Sequence, residues 1–410
     1  MKKLIYLLAG TLGLMGLVPN ASAISGYSRQ TDLACNACHA QVFPALNELG
    51  RSFKAAGYTM MGTQKKIEGS EGLSLPETLN ASVVTKIRYQ KTNGVTSSIT
   101  NTTNNGQLQF PDELLLIVGG RVSENIGAQV ELNLKSKDKE PVVENFKMPF
   151  IYDVSGTKSG VVLFTTASQG VSYGFELLNT GAVRGGRIME SRKTISAQQY
   201  INTGSAAEGV AVVSSNSLFF ANLSKWSPRS VGAASSGSPT ANYLRLAITP
   251  SVGSWDTGLG VQSWSGSATT AGATLPTLTD TKAYAVDAQA QGEVGSMPLG
   301  IYLTYANAAG TETGGNTNLF NSNTNAMTAL SVAAQLGVVP GKATLLFAYR
   351  KGDTGAASNS EDNALLIGGA YMLAQNMKLE LSQEMYSGSN YSGNNTKGDQ
   401  LTQLMLFAAF

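Results

Sequence analysis

Histidine is nearly absent from this chain, at one in 410 residues, and cysteine occurs only twice. Two cysteines exclude a disulfide scaffold. One histidine excludes any mechanism that needs two imidazoles, and the three together cannot supply four ligands to a structural zinc. Charge is also scarce: Asp, Glu, Lys and Arg make up 14% of the chain, against about a quarter in an ordinary soluble domain. Neither sign dominates, with 29 basic and 27 acidic side chains. That balance argues against a polybasic binder of nucleic acid or of anionic lipid. Long apolar runs are missing beyond the first segment; residues 114–118 give five in a row, where a spanning helix needs roughly 20. Entry into a membrane would therefore require a closed barrel.

Glycine, by contrast, is abundant, at 45 residues. The N-terminus carries Lys2 and Lys3, an apolar run over residues 4–18, and the small triplet Ala21-Ser22-Ala23. This order is that of a secretory signal peptide over residues 1–23, cleaved after Ala23. The alternative is a membrane anchor, but the run of 15 residues is interrupted by Gly10, Gly13 and Gly16. Removing Lys2 and Lys3 leaves 27 basic against 27 acidic side chains.

Both cysteines and the one histidine fall in a single pentapeptide, Cys35-Asn36-Ala37-Cys38-His39. C-x-x-C-H is the signature of covalent haem attachment: two thiols add to the haem vinyls and the adjacent imidazole is delivered to the iron. A thioredoxin-like motif would need a βαβ context, which is missing. A simple disulfide would close a strained loop and leave His39 without a role. The expected cofactor is one covalent haem c, bound through Cys35 and Cys38, with His39 as an axial ligand.

Downstream, Phe43, Leu46, Leu49 and Phe53 recur at three- and four-residue steps after Pro44, and Gly57 stands where a helix cap is expected. This stripe either covers one haem face or belongs to an ordinary amphipathic helix. Arg51 and Lys54 either meet the haem propionates or are solvated. Bis-histidine ligation is impossible, so Met60 or Met61 is the expected sixth ligand, with an open site as the alternative and simple packing as the other use of a methionine.

From about residue 80 the pattern changes to period two. Ala128, Val130, Leu132 and Leu134 interleave with Gln129, Glu131, Asn133 and Lys135, and Tyr284, Val286, Ala288 and Ala290 interleave with Asp287, Gln289 and Gln291. A soluble β-sandwich would give the same alternation. The connections discriminate, because they alternate in length: 388–398, 351–362, 309–325 and 266–280 are long, whereas 373–376, 337–341, 291–296 and 250–254 are short. Short turns at one end and long loops at the other characterise outer-membrane barrels. Leu404, Leu406, Ala408 and Phe410 close the chain on an apolar face with a terminal phenylalanine, a feature that resembles the last strand of bacterial outer-membrane barrels. The predicted fold is mainly β: an antiparallel outer-membrane β-barrel of about 16 strands over residues 80–410, preceded by a small α-helical c-type cytochrome segment with its linker over residues 24–79. Between residues 179 and 205, with Arg184, Arg187, Arg192 and Lys193, the strand pattern is ambiguous. The lumen face is expected to carry Lys86, Arg88, Glu131, Lys135, Arg245, Asp287, Arg350, Lys378, Glu380 and Glu384.

The C-x-x-C-H, followed by Phe43-Pro44-x-Leu46 and Gly50-Arg51-x-Phe53-Lys54-x-x-Gly57-Tyr58 and then by a barrel, resembles the fused outer-membrane monohaem cytochrome c–porins of iron-oxidising bacteria. The specific motifs cover Cys35 to Tyr58; the barrel adds only general shape. The resemblance implies an Fe(II) oxidase of the bacterial outer membrane, with Cys35, Cys38 and His39 holding the haem. Extracellular Fe(II) would be the donor and a periplasmic electron-carrier cytochrome the acceptor. It supplies no iron-contact residue. The remaining alternatives are another extracellular donor, or a diffusion porin in which the haem segment is a gate or plug. An apolar band about 25 Å tall separates the two barrel ends, so either the cytochrome segment plugs the lumen or dissolved Fe(II) enters it.

Overall fold

The computed structural model describes residues 25–41, 43–70, 73–95, 102–135, 142–180, 196–229, 237–270, 277–391 and 398–410. The expected leader, residues 1–23, and the basic run of Arg184, Arg187, Arg192 and Lys193 lie outside the described residues.

Sixteen antiparallel strands close into one barrel. They are β1 (Ala81–Thr92), β2 (Gln107–Arg121), β3 (Gly127–Asn133), β4 (Val142–Val154), β5 (Thr157–Thr166), β6 (Ala207–Ser215), β7 (Phe219–Pro228) and β8 (Ala241–Ile248). The second half comprises β9 (Trp255–Ser265), β10 (Ala283–Val294), β11 (Met297–Ala308), β12 (Met327–Val339), β13 (Ala343–Asp353), β14 (Asn363–Ala374), β15 (Met377–Ser387) and β16 (Gln400–Ala409). A two-residue element, Ser251–Val252, pairs with the start of β9 and only widens that turn. Closure comes from β16 against β1, in register from Leu401 opposite Thr92 to Ala409 opposite Val84. Every strand finds two partners, so no edge is left exposed.

The two faces of the wall are inverted relative to a water-soluble sheet. Arg245 is 0% exposed, while Leu244 and Leu246 on either side are 39% and 46% exposed. The same holds for buried Arg350 beside exposed Tyr349, and for buried Asp287 beside exposed Val286. A soluble sandwich buries its apolar face. Here the apolar face points outward and the polar one inward, the arrangement of a wall that meets hydrocarbon outside. Lys86, Arg88, Arg245, Asp287, Arg350, Lys378, Glu380 and Glu384 are buried as expected of a lumen face. Lys135 departs from that expectation: it follows the end of β3 and is exposed.

The short connections are tighter than the sequence pattern suggests, because the strands run on into them. Ser155 and Gly156 alone join β4 to β5, both at positive φ (55° and 81°), the backbone of a type I′ hairpin turn. Gln375 and Asn376 join β14 to β15. Both ends of the barrel sequence, the start of β1 and the end of β16, lie at this short-turn end.

Two segments occupy the lumen. The connection between β5 and β6 turns inward: Phe175, Leu177, Leu178, Tyr200 and Ile201 are buried. Its Asn179 N–H donates to Gln289 on β10 at 2.7 Å, and Thr180 donates to Asp287 at 2.7 Å. Arg245 on β8 ion-pairs with both Glu176 of this loop and Asp287 of the wall, at 2.9 and 2.6 Å.

The second is the N-terminal segment, with helices α1 (Ser25–Thr31), α2 (Cys35–Cys38) and α3 (Glu48–Ala55). It is bonded to the inner wall around the circumference. Gly26 N–H donates to Ser82 on β1 at 2.8 Å, Tyr27 to Gln129 on β3 at 3.1 Å, and Gln41 to the carbonyls of Pro298 on β11 and Gln335 on β12 at 3.0 and 2.8 Å. Lys378 on β15 donates to the Phe43 carbonyl at 2.9 Å, and Phe43 stacks on Phe407 of β16 with centroids 5.4 Å apart. All these wall residues lie where strands meet the short turns. The segment therefore fills the barrel at the short-turn end.

Candidate functional site in the lumen

Four residues of α2 put the two thiols one helical turn apart, at Cys35 and Cys38. Neither is in a disulfide. His39 leaves the helix in extended backbone (φ −107°, ψ 136°), held by its N–H to the Cys35 carbonyl at 2.8 Å. The chain then folds back: Ala40 N–H donates to the Ala45 carbonyl at 2.8 Å, and His39 and Leu46 form a bridge. This return places the imidazole Nδ1 3.2 Å from the Ala45 carbonyl. A carbonyl can only accept, so Nδ1 carries the proton and Nε2 keeps its lone pair for a metal. Burial lowers the imidazole pKa to about 4, against the opposing pull of the Ala45 and Pro44 carbonyls. The ring is neutral at pH 7, the form a ligand requires.

Helix α3 begins at Glu48, not in the first turn after Pro44, because Ala45 and Leu46 are committed to the return that orients His39. Asn47 caps it, its Oδ1 accepting from Gly50 N–H at 3.0 Å, while its Nδ2 donates to the Ala37 carbonyl at 2.9 Å. One side chain thus joins the start of α3 to α2. At Gly50 a Cβ would stand 2.1 Å from the Cys38 carbonyl oxygen, so the two helices meet at that position only through glycine. The helix ends as the sequence indicates, with Gly57 at φ 68° and its N–H on the Lys54 carbonyl. From the lumen loop, Asn179 clamps the return by pairing with both the N–H and the carbonyl of Leu46, at 2.8 and 2.9 Å.

Cys35, Cys38 and His39 border a single cavity of about 310 Å³, at the lower end of the roughly 300–1,000 Å³ typical of cofactor sites. Phe43, Leu46 and Phe53 form one wall of it. Leu49 is not part of that wall and is 37% exposed. The barrel contributes to the lining as well, with Val84 of β1, Leu115 and Ile117 of β2, and Phe407 of β16, on which Phe43 stacks. The site is therefore inside the lumen, shared between the N-terminal segment and the strands. Sequence reasoning missed the barrel contribution; its only sign was apolar residues on strand positions that elsewhere carry polar groups.

The expected polar residues separate. Arg51 faces away from the cavity and makes a bidentate ion pair with Asp256 at the start of β9, at 2.6 and 2.7 Å. Lys54 lines the cavity, where burial lowers its pKa, partly offset by Glu176. Met60 and Met61 do not line the cavity, and Met60 is 36% exposed. Gly57 and Tyr58, both at positive φ, reverse the chain after α3, and Gln30 of α1 then holds the Met60 carbonyl at 2.8 Å. The aromatic groups on that side of the cavity are Tyr27 and Tyr58, stacked at 5.5 Å, with Phe53 edge-on to both.

The donor set fits a covalent haem: two thiols at helical spacing, a neutral imidazole with Nδ1 already engaged, and apolar lining residues from both the N-terminal segment and the barrel. Among the described residues no group of three or more Asp, Glu, His or Cys side chains could hold a bare metal ion, so no iron-contact residue is assigned.

No protein-family model and no curated protein sequence matches the chain. Among solved structures it resembles the outer membrane channel DcaP of Acinetobacter baumannii, at 10% identity and a TM-score of 0.52, over 81% of this chain and 97% of that one. It also matches OmpF of Salmonella typhi in complex with daunomycin (10% identity, TM-score 0.49, 84% and 100% of the two chains) and a loop L8 deletion mutant of OmpT of Vibrio cholerae (13%, 0.46, 81% and 99%). At these identities the likeness to DcaP is one of fold: a closed antiparallel barrel of the outer-membrane type.

Proposed function

We propose that this chain is an outer-membrane cytochrome–porin that takes single electrons from extracellular Fe(II) and passes them to a periplasmic electron-carrier cytochrome. The observation that carries the reading is the placement of Cys35, Cys38 and His39 on a cavity that the inner face of the barrel also lines. The apolar outer face and the fold shared with DcaP support a place in the bacterial outer membrane. When bound, haem c would supply a one-electron redox centre.

The chain's own residues do the rest. Cys35 and Cys38 tether the group, and His39 presents Nε2 to it. Phe43, Phe53, Leu115 and Phe407 exclude water from its faces, which is one means by which a protein tunes such a centre. The family resemblance of residues 35–58 points to Fe(II) as the donor, and a one-electron donor suits a single haem. No general base is needed, so a chain with one histidine loses nothing.

A second reading, a diffusion porin with a gate, draws on the channel fold alone. The filled short-turn end disfavours it. Intact cells carrying the protein and given anaerobic Fe(II) outside should show reduced haem absorbance, and cells carrying His39→Ala should not. Ion conductance that is high and indifferent to the haem's redox state would support the porin instead.

A further inference from the structure

His39 lies in a two-stranded return whose outer edge is closed by a side chain from the lumen loop. Within the return, Ala40 N–H donates to the Ala45 carbonyl at 2.8 Å and Asn47 N–H donates to the Cys38 carbonyl at 3.0 Å. His39 and Leu46 face each other between these two bonds, as a non-hydrogen-bonded antiparallel pair. The N–H and carbonyl of Leu46 therefore point away from His39, toward the place of a third strand. The side-chain amide of Asn179 takes both: Oδ1 accepts from the N–H at 2.8 Å and Nδ2 donates to the carbonyl at 2.9 Å. An amide carries one acceptor oxygen and a donor nitrogen, so it meets this peptide pair as a neighbouring strand would. Asn179 is buried and is itself fixed to the wall, its N–H donating to Gln289 Oε1 on β10 at 2.7 Å. The adjoining Thr180 donates to Asp287 of the same strand at 2.7 Å.

A partly buried N–H and carbonyl without partners are costly. Without the Asn179 amide, the outer edge of the return would have to move to find new ones. The residue next to Leu46 is Ala45, whose carbonyl stands 3.2 Å from Nδ1 of His39. That bond holds the proton on Nδ1 and leaves Nε2 free. We infer that Asn179 is the positioning residue of this site: by holding both backbone groups of Leu46 it keeps the Ala45 carbonyl on Nδ1 and the imidazole in the form that can ligate. The contacts run from wall to ring through Gln289, Asn179, Leu46 and Ala45 to His39. They give the inward course of the connection between β5 and β6 a task at the redox site. The inference rests on the haem reading for its purpose, but the positioning itself can be measured without haem.

The test uses the full chain in detergent, purified without a histidine tag, as the unmodified protein, Asn179→Ala and Thr180→Ala. His39 is the single histidine of the chain, so nitrogen-15 NMR of histidine-labelled, haem-free protein at neutral pH reports one imidazole and its tautomer. The unmodified protein should be protonated at Nδ1, and Asn179→Ala should raise the share protonated at Nε2 several-fold. Thr180→Ala loosens the same loop but leaves the amide on Leu46, so its tautomer should stay that of the unmodified protein. In the haem-loaded chain, a weaker bond at Nδ1 makes the imidazole a poorer donor to the iron, so the midpoint potential of Asn179→Ala should rise. An unchanged tautomer or an unchanged potential in Asn179→Ala would overturn the inference. Equal tautomer changes in both variants would also overturn it, since the loop would then act by packing alone. If mass spectrometry finds no covalent haem on the unmodified chain, the haem reading fails, while the NMR comparison still decides whether Asn179 positions His39.

Discussion

Gly50 is where α3 comes closest to the turn that carries Cys35, Cys38 and His39. A methyl group there would lie 2.1 Å from the Cys38 carbonyl oxygen, and that oxygen belongs to backbone that cannot swing aside as a side chain can. Gly50→Ala must therefore push α3 away from α2 and disturb the spacing of Cys38 and His39. The expected result is a several-fold drop in covalently attached haem by mass spectrometry, with the barrel still heat-modifiable on gels. The methionines behave in the opposite way. Because the reversal at Gly57 and Tyr58 takes residues 60 and 61 out of the cavity, Met60→Leu and Met61→Leu should each leave the visible and near-infrared haem spectrum unchanged; loss of a Met–haem band in either variant would contradict this geometry. The contrast explains what was legible at this scale. That Cys35, Cys38 and His39 share one cavity could be read because they are neighbours along the chain. The fate of Met60 and Met61 depends on two left-handed residues and on Gln30 reaching across from α1, and none of these is a local property of a methionine.

At the scale of elements, the joints between plug and wall are side-chain bonds, and they can be loosened one at a time. Asn47 caps α3 and ties it to α2; Asn47→Ala should cost about 1 kcal/mol, typical of a lost N-cap. Urea denaturation of the N-terminal segment, followed by the Soret band, would measure it. The Arg51–Asp256 pair has side chains 8% and 19% exposed, so removing one partner leaves a charge with little access to water. A fully buried pair broken on one side loses roughly 3–5 kcal/mol, and partial exposure of Asp256 places this pair below that range. Arg51→Ala should let the plug move and raise single-channel conductance in planar bilayers above that of the unmodified protein. Equal conductance would mean that the plug is held elsewhere. Periodicity announced the strands well, because the apolar positions that face outward along them alternate strictly. It did not announce the inward course of the connection between β5 and β6. That segment is fixed by distant partners, Asp287, Gln289 and Arg245, and has no period of its own.

The whole molecule combines a wall that is apolar outside with an interior stocked by two inserted segments. The barrel architecture followed from the alternation of long and short connections, since each short turn marks one end of the barrel. The location of the cavity did not follow, because it is made where residues between Tyr27 and Tyr58 meet strand residues from Val84 to Phe407, and only closure brings them together. With the plug bonded to β1, β3, β9, β11, β12 and β15, the cavity sits at the short-turn end of the barrel. The claim that the molecule as a whole oxidises Fe(II) is tested most directly by an anaerobic spectral titration of the purified, haem-loaded protein with Fe(II) at neutral pH, compared with full reduction by dithionite. The account predicts that Fe(II) develops the reduced haem spectrum and that His39→Ala abolishes this while the barrel stays folded. Full reduction by dithionite with no reduction by excess Fe(II) would contradict it.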